Sequence, residues 1–435
     1  MINDHTLARF EPLGGDLLKP IYVDYSFANI PATLHYLLTR ETTGPLLPAD
    51  CFGGAYPAPR TVVLILLDCF GWQFWQRHAK RSRIMRRVIE QGTLTPISAL
   101  FPSTTAASIS TLNLGCLPAR HAVYEWNMYV PDFGETIQSL AFSTLGRRAE
   151  SCSVKGYNAA DMVIEHETVH QRLARHGVRS IQLSHRSYAR SPYNRIVSAG
   201  AEVISHRTFP EALVRLRRVL ATPRKDKALI TLYWAGLDTS AHEFGPDSAE
   251  FEAETVSLWL TMDALLAEVH SPDTLFLFTA DHGHVGADAA DTIFVNERWP
   301  EINGWLAISP TGQIIWPNGS PRDMFLHVQV GRRADMHRVL TNGLAGTATV
   351  MTIDEALGAG LFGPEPIMPE LRRRLGDLLV LPHLGYFVWW REPEIMGNRL
   401  HGHHGGLTAE ELVTVLGVVT SVGCDASSSA PPTLM

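Results

Sequence analysis

The chain has 435 residues, of which 45% are hydrophobic and 19% are charged, a composition typical of soluble globular proteins. Its formal net charge of −7 excludes a role in coating nucleic-acid polymers, because such proteins are basic. The length permits one large α/β domain with an inserted piece, or two or three smaller domains.

The cysteines and the ends of the chain bear on the compartment. The five cysteines form no Cys-x-x-Cys pair, which argues against a disulfide framework and a thiolate zinc site and is typical of reduced thiols in the cytoplasm. Residues 1–5 show no signal-peptide pattern, and no apolar run reaches membrane-spanning length. We therefore expect a cytoplasmic protein without a membrane span, and a disordered tail rich in Ser and Pro at residues 421–435.

The first strong strand follows a lead-in, residues 1–58, which we expect to pack on the core. The unbroken Leu and β-branched run at residues 61–67 suits a parallel strand covered on both faces. Asp68 comes directly after it, and α/β sheets bind ligands at the carboxyl ends of such strands. Asp68 is either a site residue of this kind or an ordinary loop aspartate.

A second strand-like run, residues 93–100, leads into a segment that ends at Thr105. Pro102 and Ser103 break the extended chain, and Ser103 or Thr104 can cap the helix that follows. Thr105 then lies at a helix N-terminus, where free N–H groups favour an anion and a hydroxyl can act as a nucleophile. The alternative is a polar residue of a helix cap with no catalytic role.

Residues 120–225 begin with three aromatics, Tyr124, Trp126 and Tyr129, and then alternate short strands with helices. We interpret this region as partly continuing the sheet and partly covering it. The aromatics either line a pocket, where a flat leaving group would stack, or pack the covering region on the core. A second covering region is expected at residues 290–375.

A third strand, residues 228–234, precedes Asp238 and His242. Residues four apart share one face of a helical turn, so these two side chains can reach one metal ion together. The long amphipathic pattern of residues 250–269 then predicts a helix.

A fourth strand, residues 274–280, is followed by Asp281 and His282, which a turn can bring to one centre. Near the end of the chain, His404 lies in a glycine-rich stretch. A helix is predicted to start near residue 408, where Glu411 makes a capping box.

Three buried strands thus have a carboxylate at or near their carboxyl ends, which meet at one edge if the sheet is parallel. The candidate group consists of Asp68, Asp238, His242, Asp281, His282 and His404. Carboxylates and imidazoles are ligands of divalent ions such as zinc or manganese. Six ligands and a hydroxyl suit two ions, which about 4 Å apart can stabilise the attacking and leaving oxygens of a displacement.

The ordered pattern resembles the alkaline phosphatase superfamily, and within it the nucleotide pyrophosphatase/phosphodiesterase branch. The motifs that carry the resemblance are Asp68, Phe-Pro-Ser-Thr-Thr105, Asp238-x-x-x-His242, Asp281-His282-Gly283 and His404-Gly-Gly. The resemblance implies an α/β fold with a mostly parallel central sheet flanked by helices and a smaller covering insertion, in a catalytic domain at residues 59–420.

The resemblance also implies a hydrolase that uses two divalent ions, with zinc favoured and manganese as the alternative. By this resemblance one ion would be held by Asp238, His242 and His404. The other would be held by Asp68, Thr105, Asp281 and His282, with Thr105 as the nucleophile.

The chain departs from the family pattern at the positions that would bind the substrate. Ser108 stands where eukaryotic-type members place a phosphate-binding Asn, so we expect Ser108, Asn127 and Trp126 to contact the substrate, with Asn127 supplying the missing amide. Small alanines follow Thr105 where superfamily monoesterases tend to have an arginine, and the Cys/Ser-x-Pro-x-Arg motif of sulfatases is absent from this stretch. His284, His401 and His403 match no ligand position and are expected to support the ligands or the structure.

We therefore expect metal-dependent hydrolysis of phosphodiester or pyrophosphate bonds in small nucleotide-type substrates. One alternative is a phosphate monoesterase, phosphomutase or phosphonate hydrolase on the same scaffold. Another is a non-catalytic domain that binds a metal or a partner, against which the intact nucleophile and ligand set argue. No nucleic-acid polymer is expected as a partner, and the oligomeric state is left open.

Overall fold

The computed structural model describes residues 1–146, 149–164, 167–267, 269, 271, 273–286, 292–364, 366–392, 400–420 and 422. The predicted disordered tail therefore lies outside the described residues, except for Val422. Within the described ranges, no helix combines the length and the apolar character needed to cross a membrane.

The strands in the described residues differ widely in length, and seven of them form one central sheet. In chain order they are β1 (Pro12–Gly14), β2 (Leu17–Leu18), β3 (Thr61–Leu67), β4 (Thr93–Ser98), β5 (Asn127–Val130), β6 (Glu135–Gln138), β7 (Ser143–Thr144), β8 (Arg179–His185), β9 (Ala201–His206), β10 (Ala228–Trp234), β11 (Thr274–Thr279), β12 (Val285–Gly286), β13 (Ile293–Phe294), β14 (Met324–Leu326), β15 (Ala348–Thr352), β16 (Leu378–Pro382), β17 (Val388–Trp389), β18 (Gly402–His403) and β19 (Val413–Val419).

The helices lie on both faces of the central sheet and in the covering regions. They are α1 (Ile30–Thr39), α2 (Trp72–His78), α3 (Arg83–Gln91), α4 (Thr105–Leu114), α5 (Pro118–His121), α6 (Ala159–Met162), α7 (Val169–Arg175), α8 (Pro192–Val197), α9 (Phe209–Ala221), α10 (Gly236–Phe244), α11 (Ala249–Leu266), α12 (Val295–Arg298), α13 (Arg333–Gly343), α14 (Ile353–Gly358), α15 (Pro369–Leu375) and α16 (Ala409–Leu412). Short 3-10 helices occur at Asp4–Arg9, Phe27–Asn29, Ala49–Phe52, Pro300–Trp305 and Val330–Arg332.

The central sheet has the strand order β4-β19-β11-β3-β10-β8-β9. All of its strands run parallel except β19, which is antiparallel to both β11 and β4. The predicted mostly parallel α/β sheet is therefore confirmed. Leu66 of β3 pairs with Tyr233 of β10 and with Thr279 of β11, so these three strands end at the same level.

Both faces of β3 are covered, which explains why its sequence is an unbroken apolar run. Val63, Ile65 and Leu67 pack into a cluster with residues of α2, α9 and α11. Val62, Leu64 and Leu66 point to the opposite face and pack with residues of α1 and α4. Alternate side chains of β3 thus pack against helices on opposite faces of the sheet.

The lead-in, residues 1–58, lies against the central sheet. The backbone N–H of Asn3 donates to the carbonyl of Leu94 in β4 at 2.9 Å. Phe27 and Leu34 are buried in the same apolar cluster as Val62 of β3.

Residues 120–225 contribute both to the central sheet and to the region that covers it. β8 and β9 are strands of the central sheet, in agreement with the interpretation that this region partly continues the sheet. The covering part includes the antiparallel sheet β5-β6-β7. Within residues 290–375, β14 and β15 form an antiparallel sheet with β16 and share a separate apolar cluster that includes Met324, Leu340 and Trp390.

One predicted element is different in the structure. The capping box of Thr408 and Glu411 is present, but the helix it starts, α16, ends after four residues. The chain then continues as β19, a buried strand that the sequence analysis did not predict. This Val-rich segment lies between β4 and β11, and pairing with both strands favours a strand over a continued helix.

Candidate active site and metal centre

Three predicted acids converge at the carboxyl edge of the central sheet. Asp68 follows β3 directly, and Asp281 lies just after the neighbouring strand β11. Asp238 lies in the first turn of α10, which follows β10 on the other side of β3. The side chains of Asp68 and Asp281 are only 2% and 0% exposed, so their charges are held away from water.

Thr105 is the first residue of α4 and faces this acidic group. Thr104 is the helix cap, and its side chain accepts a hydrogen bond from a backbone N–H of the first turn at 3.3 Å. The Oγ1 atom of Thr105 lies 3.4 Å from each carboxylate oxygen of Asp68 and 3.2 Å from Nε2 of His282. The first backbone N–H groups of α4 have no acceptor within the helix, so this hydroxyl lies where an anion is favoured.

Three predicted histidines share one arrangement, in which Nδ1 faces a backbone carbonyl. The pairs are His242 with Gly402 at 2.8 Å, His282 with Gly283 at 2.9 Å, and His404 with Ser103 at 3.0 Å. Because a carbonyl oxygen can only accept, Nδ1 carries the proton and Nε2 keeps its lone pair. This is the tautomer that a metal-ligating histidine needs.

The Nε2 atoms lie in a narrow range of distances from the carboxylate oxygens. These distances are 3.3 Å for His282 and Asp68, 3.5 Å for His282 and Asp281, 3.4 Å for His242 and Asp238, and 3.7 Å for His404 and Asp238. They exceed the usual N–H···O length of about 2.7–3.2 Å. Two ligand atoms bound at about 2.0–2.2 Å to a tetrahedral zinc are separated by about 3.3–3.6 Å, so the residues fit a divalent ion.

The ligand atoms fall into three groups whose members all lie within 4.8 Å of one another. The groups are Asp68, Asp281 and His282; Asp238, His282 and His404; and Asp238, His242 and His284. The six residues named from the sequence and Thr105 are thus brought together in one place. The His404 ring stacks on His282 with centroids 3.6 Å apart and also lies beside the His242 ring, with centroids 5.1 Å apart.

Burial disfavours the charged forms of the carboxylates and histidines of this site. Burial raises the pKa of Asp68 well above its ordinary value, and the charge of Asp281 raises it further. Burial also raises the pKa of Asp238 and lowers that of His404. Oδ1 of Asp238 and Oδ2 of Asp281 have no hydrogen-bond partner among the described residues, so a bound cation would satisfy both.

The structure adds residues that the sequence analysis did not assign to the site. The hydroxyl of Tyr233, at the end of β10, donates a hydrogen bond to Asp68. Its place at a strand end is the same signal that identified Asp68. His284 lies against Asp238, although the sequence analysis assigned it no ligand role. His401 contacts the site through its backbone, and His403 packs on Phe387 with ring centroids 5.0 Å apart.

A cavity of about 820 Å³ opens beside Thr105. Its wall includes Trp126, Leu140, Ile109 and Tyr188, together with Asn127. No lysine or arginine lines it in the part of the chain that the structure describes.

Two of the three predicted substrate contacts reach the cavity. Trp126 is 41% exposed and lines it, and so does Asn127, whose Oδ1 atom has no hydrogen-bond partner in the described chain. Ser108 does not, because it is on the buried side of α4 and donates to the carbonyl of Asp281 at 3.4 Å. In the described chain Ser108 therefore makes a packing contact, and its role in substrate binding stays a prediction.

The other two aromatics of the covering region are packing residues. Tyr124 is fully buried and donates to the carbonyl of Arg374 at 3.0 Å. Tyr129 is 4% exposed and packs edge-on against His327. Of the three aromatics, only Trp126 is among the residues that line the cavity in the described chain.

A second pair of buried acids lies beside the cavity. Glu125 lines the cavity, and Asp323 is completely buried. Burial raises the pKa of Glu125 to about 7. Burial and then the charge of Glu125 raise the pKa of Asp323 well above its ordinary value. Ser320 donates to Asp323 at 2.6 Å and also lies 2.9 Å from the carbonyl of His404.

A model of the family described as type I phosphodiesterase / nucleotide pyrophosphatase matches residues 62–407. No curated protein sequence matches the chain at a significant level.

Solved structures with the same fold share little sequence with the chain. Murine ectonucleotide pyrophosphatase / phosphodiesterase 5 has a TM-score of 0.61 at 14% identity, over 82% of this chain and 87% of that one. An inactive threonine-to-alanine variant of it, in complex with AMP, gives the same values. Phosphonoacetate hydrolase from Sinorhizobium meliloti 1021, in complex with phosphonoacetate, has a TM-score of 0.57 at 18% identity, over 88% of this chain and 94% of that one.

Proposed function

Because the chain belongs to the type I phosphodiesterase / nucleotide pyrophosphatase family, we propose that it hydrolyses phosphodiester or pyrophosphate bonds in nucleotide-type substrates. Thr105 is the proposed nucleophile. The observation that carries the proposal is the position of the Thr105 hydroxyl, 3.4 Å from Asp68 and 3.2 Å from His282 at the start of α4.

Two divalent ions are proposed as cofactors, with zinc favoured over manganese. Asp68, Asp281 and His282 would hold one ion beside Thr105, and Asp238, His242 and His404 would hold the other. The donor spacing, the Nε2 tautomers and the unpartnered carboxylate oxygens support this assignment. When bound, such ions stabilise negative charge on the phosphoryl oxygens and favour loss of the threonine proton.

The residues of the chain account for a double displacement. The Thr105 oxygen forms a bond to phosphorus while the bond from phosphorus to the leaving-group oxygen breaks, and the leaving group takes a proton from solvent. The result is a phosphodiester of Thr105 that keeps the second substituent of the substrate, and the proton of the Thr105 hydroxyl passes to solvent. Water then attacks phosphorus, the Thr105 oxygen leaves and takes up a proton, and the monoester product is released. The backbone N–H groups that open α4 are placed to donate to the phosphoryl oxygens in both steps.

The lining of the cavity supports a diester over a monoester. A monoester carries an additional anionic oxygen, which monoesterases commonly neutralise with a cation. The described lining offers no lysine or arginine for this purpose, whereas Trp126, Leu140 and Ile109 suit an uncharged second substituent.

Comparison of four substrates tests the proposal. The zinc-loaded protein should hydrolyse bis(p-nitrophenyl) phosphate at least about tenfold faster, in kcat/KM, than p-nitrophenyl phosphate. Hydrolysis of p-nitrophenyl sulfate and phosphonoacetate should be slower still. A preference for the monoester or for phosphonoacetate would show that the diester assignment is wrong, and no turnover of any substrate would favour a binding domain.

We also propose that the protein works in the cytoplasm. Cys51, Cys69 and Cys152 are buried free thiols, which supports a reducing compartment. Recovery of the native protein in a periplasmic or secreted fraction would contradict this.

A further inference from the structure

His284 has a buried ring nitrogen that faces a carboxylate of the proposed metal site. Its side chain is 0% exposed, and its Nε2 atom lies 3.6 Å from Oδ1 of Asp238. The Nε2 atom has no hydrogen-bond partner in the described residues, and Oδ1 of Asp238 has none either. Buried polar atoms are almost always paired, and a cation bound to both atoms would satisfy them.

Local packing holds the His284 ring in this place. The strand that follows it, β12, pairs with β18, the strand that precedes His404. A Cβ atom at Gly402 would lie 2.6 Å from Cε1 of His284, so a glycine is needed where the two segments meet. On its other side the ring meets His242 edge-on, with centroids 4.7 Å apart.

We propose that His284 is an additional protein ligand of the ion held by Asp238, His242 and His404. This inference rests on the two-ion site proposed above and extends its ligand set. The distance of 3.6 Å between His284 and Asp238 matches the other ligand-to-ligand distances of the site, which run from 3.2 to 3.7 Å.

The additional imidazole sets the metal preference of this position. Three imidazoles and one carboxylate favour zinc over manganese, because manganese prefers oxygen ligands. The ion beside Thr105 would have two carboxylates and one imidazole, so it would discriminate less. The two positions are therefore expected to differ in selectivity.

A crystal structure of the zinc-loaded protein, with the ions located by anomalous scattering, tests the contact directly. The expected distance from the ion at Asp238 to Nε2 of His284 is about 2.0–2.2 Å. An ion at Asp238 more than about 3 Å from His284 would overturn this inference while leaving the proposed function intact. If no ion binds at Asp238, both are wrong.

Metal competition in solution gives a second measurement. We expect His284→Ala to weaken zinc binding at one of the two positions by more than about a hundredfold, beyond the effect of losing a residue that only orients a ligand. Manganese binding should change by less than about tenfold. The matched control is His403→Ala, which removes a buried histidine of β18, the strand that pairs with β12, and this histidine belongs to none of the three ligand groups.

Binding at the other position reports whether the His284→Ala protein is folded. If the variant keeps its metal affinity at that position and unfolds in a cooperative thermal transition, the loss of binding at the first position is not caused by unfolding. Equal losses for zinc and manganese, unchanged zinc affinity, or the same loss in His403→Ala would each overturn the assignment of His284.

Discussion

The Oγ1 atom of Thr105 lies 3.4 Å from both carboxylate oxygens of Asp68. This equal spacing is longer than the usual O–H···O hydrogen bond of about 2.5–3.0 Å, so the hydroxyl faces the carboxylate without being tied to one of its oxygens. Thr104, one residue earlier, has its side chain engaged at the helix cap and with the carbonyl of Tyr124. Two adjacent threonines therefore have separable roles.

Thr105→Ala should abolish turnover while leaving the metal sites in place. We expect kcat on a phosphodiester to fall about a thousandfold or more, which corresponds to roughly 4 kcal/mol of transition-state stabilisation. Substrate binding should survive, because the hydroxyl is needed for the covalent step. Steady-state kinetics with the metal content measured on the same sample provide the test.

Thr104→Ala is the matched control. Loss of a helix cap costs about 1 kcal/mol of stability, so this variant should melt at a lower temperature and retain most of its activity. Near-normal rates for Thr105→Ala, or a collapse of activity only in Thr104→Ala, would reverse the assignment of the nucleophile.

Tyr233→Phe should weaken the site without touching the substrate. The Tyr233 hydroxyl donates to Asp68, so its loss leaves a ligand carboxylate less well oriented and should cost about tenfold to a hundredfold in metal affinity. Tyr188→Phe is the control, because the Tyr188 ring lies near that of Tyr233 but its hydroxyl has no hydrogen-bond partner in the described chain. Chelator competition measures both, and equal affinities would refute a positioning role for Tyr233.

Removal of the metals should inactivate the protein and lower its stability. Without cations, the buried carboxylates of Asp68, Asp238 and Asp281 repel each other with no nearby lysine or arginine to compensate them in the described cavity lining. Dialysis against a chelator should abolish turnover and lower the melting temperature, and two equivalents of zinc should restore both. Full activity in a verified metal-free sample would contradict the two-ion proposal.

The buried Glu125 should make stability depend on pH. Its pKa is raised from 4.5 to about 7, so between these values the folded state binds more protons than the unfolded state. The free energy of unfolding must therefore fall as the pH rises through this window. Glu125→Gln should make the free energy of unfolding fall less steeply with pH. The difference in stability between the variant and the original protein should therefore shift in favour of the variant from about pH 5 to about pH 8.

Thermal unfolding of the metal-free protein across that pH range measures the effect. Glu11→Gln serves as the control, because the Glu11 side chain is 75% exposed and neutralising it should not alter the profile. Parallel stability curves for Glu125→Gln and the unchanged protein would refute the prediction.

Trp126→Ala should change selectivity more than general activity. A base or aryl group stacked on the half-exposed indole gains on the order of 1 kcal/mol, so its loss should raise KM about fivefold for substrates that carry such a group. Diesters with a small alkyl group in that place should be affected less. If both kinds of substrate change by the same factor, the indole only packs the covering region.

The sequence predicted the parts of the fold that depend on short, uniform patterns. The residues of β3 and β10 were identified as strands because runs buried on both faces are apolar throughout. β19 was missed because the helix signal of Thr408 and Glu411 is real, yet extends only over α16. Where the helix ends depends on the partners of residues 413–419, which lie far away in the chain.

The positions of site residues could be predicted from the sequence where these residues directly follow a strand. Asp68 and Asp281 follow strands, so a parallel sheet brings them together whatever the loops do. The positions of His284 and His404 beside Asp238 are harder to predict. The two histidines lie on separate loops, and the pairing of β12 with β18 brings these loops together. The orientation of Ser108 also depends on tertiary packing, because a helical residue three positions from Thr105 can face the core as well as a ligand.

The place of β19 in the sheet has a consequence for the growing polypeptide on the ribosome. β4, which leads to Thr105, and β11, which leads to Asp281, are not neighbours, because β19 lies between them and pairs with both. A nascent chain that has emerged only to residue 412 has every proposed catalytic group but lacks the strand that sets their separation. Hydrolytic activity should therefore appear abruptly, when residues 413–419 emerge, rather than build up as each ligand is synthesised.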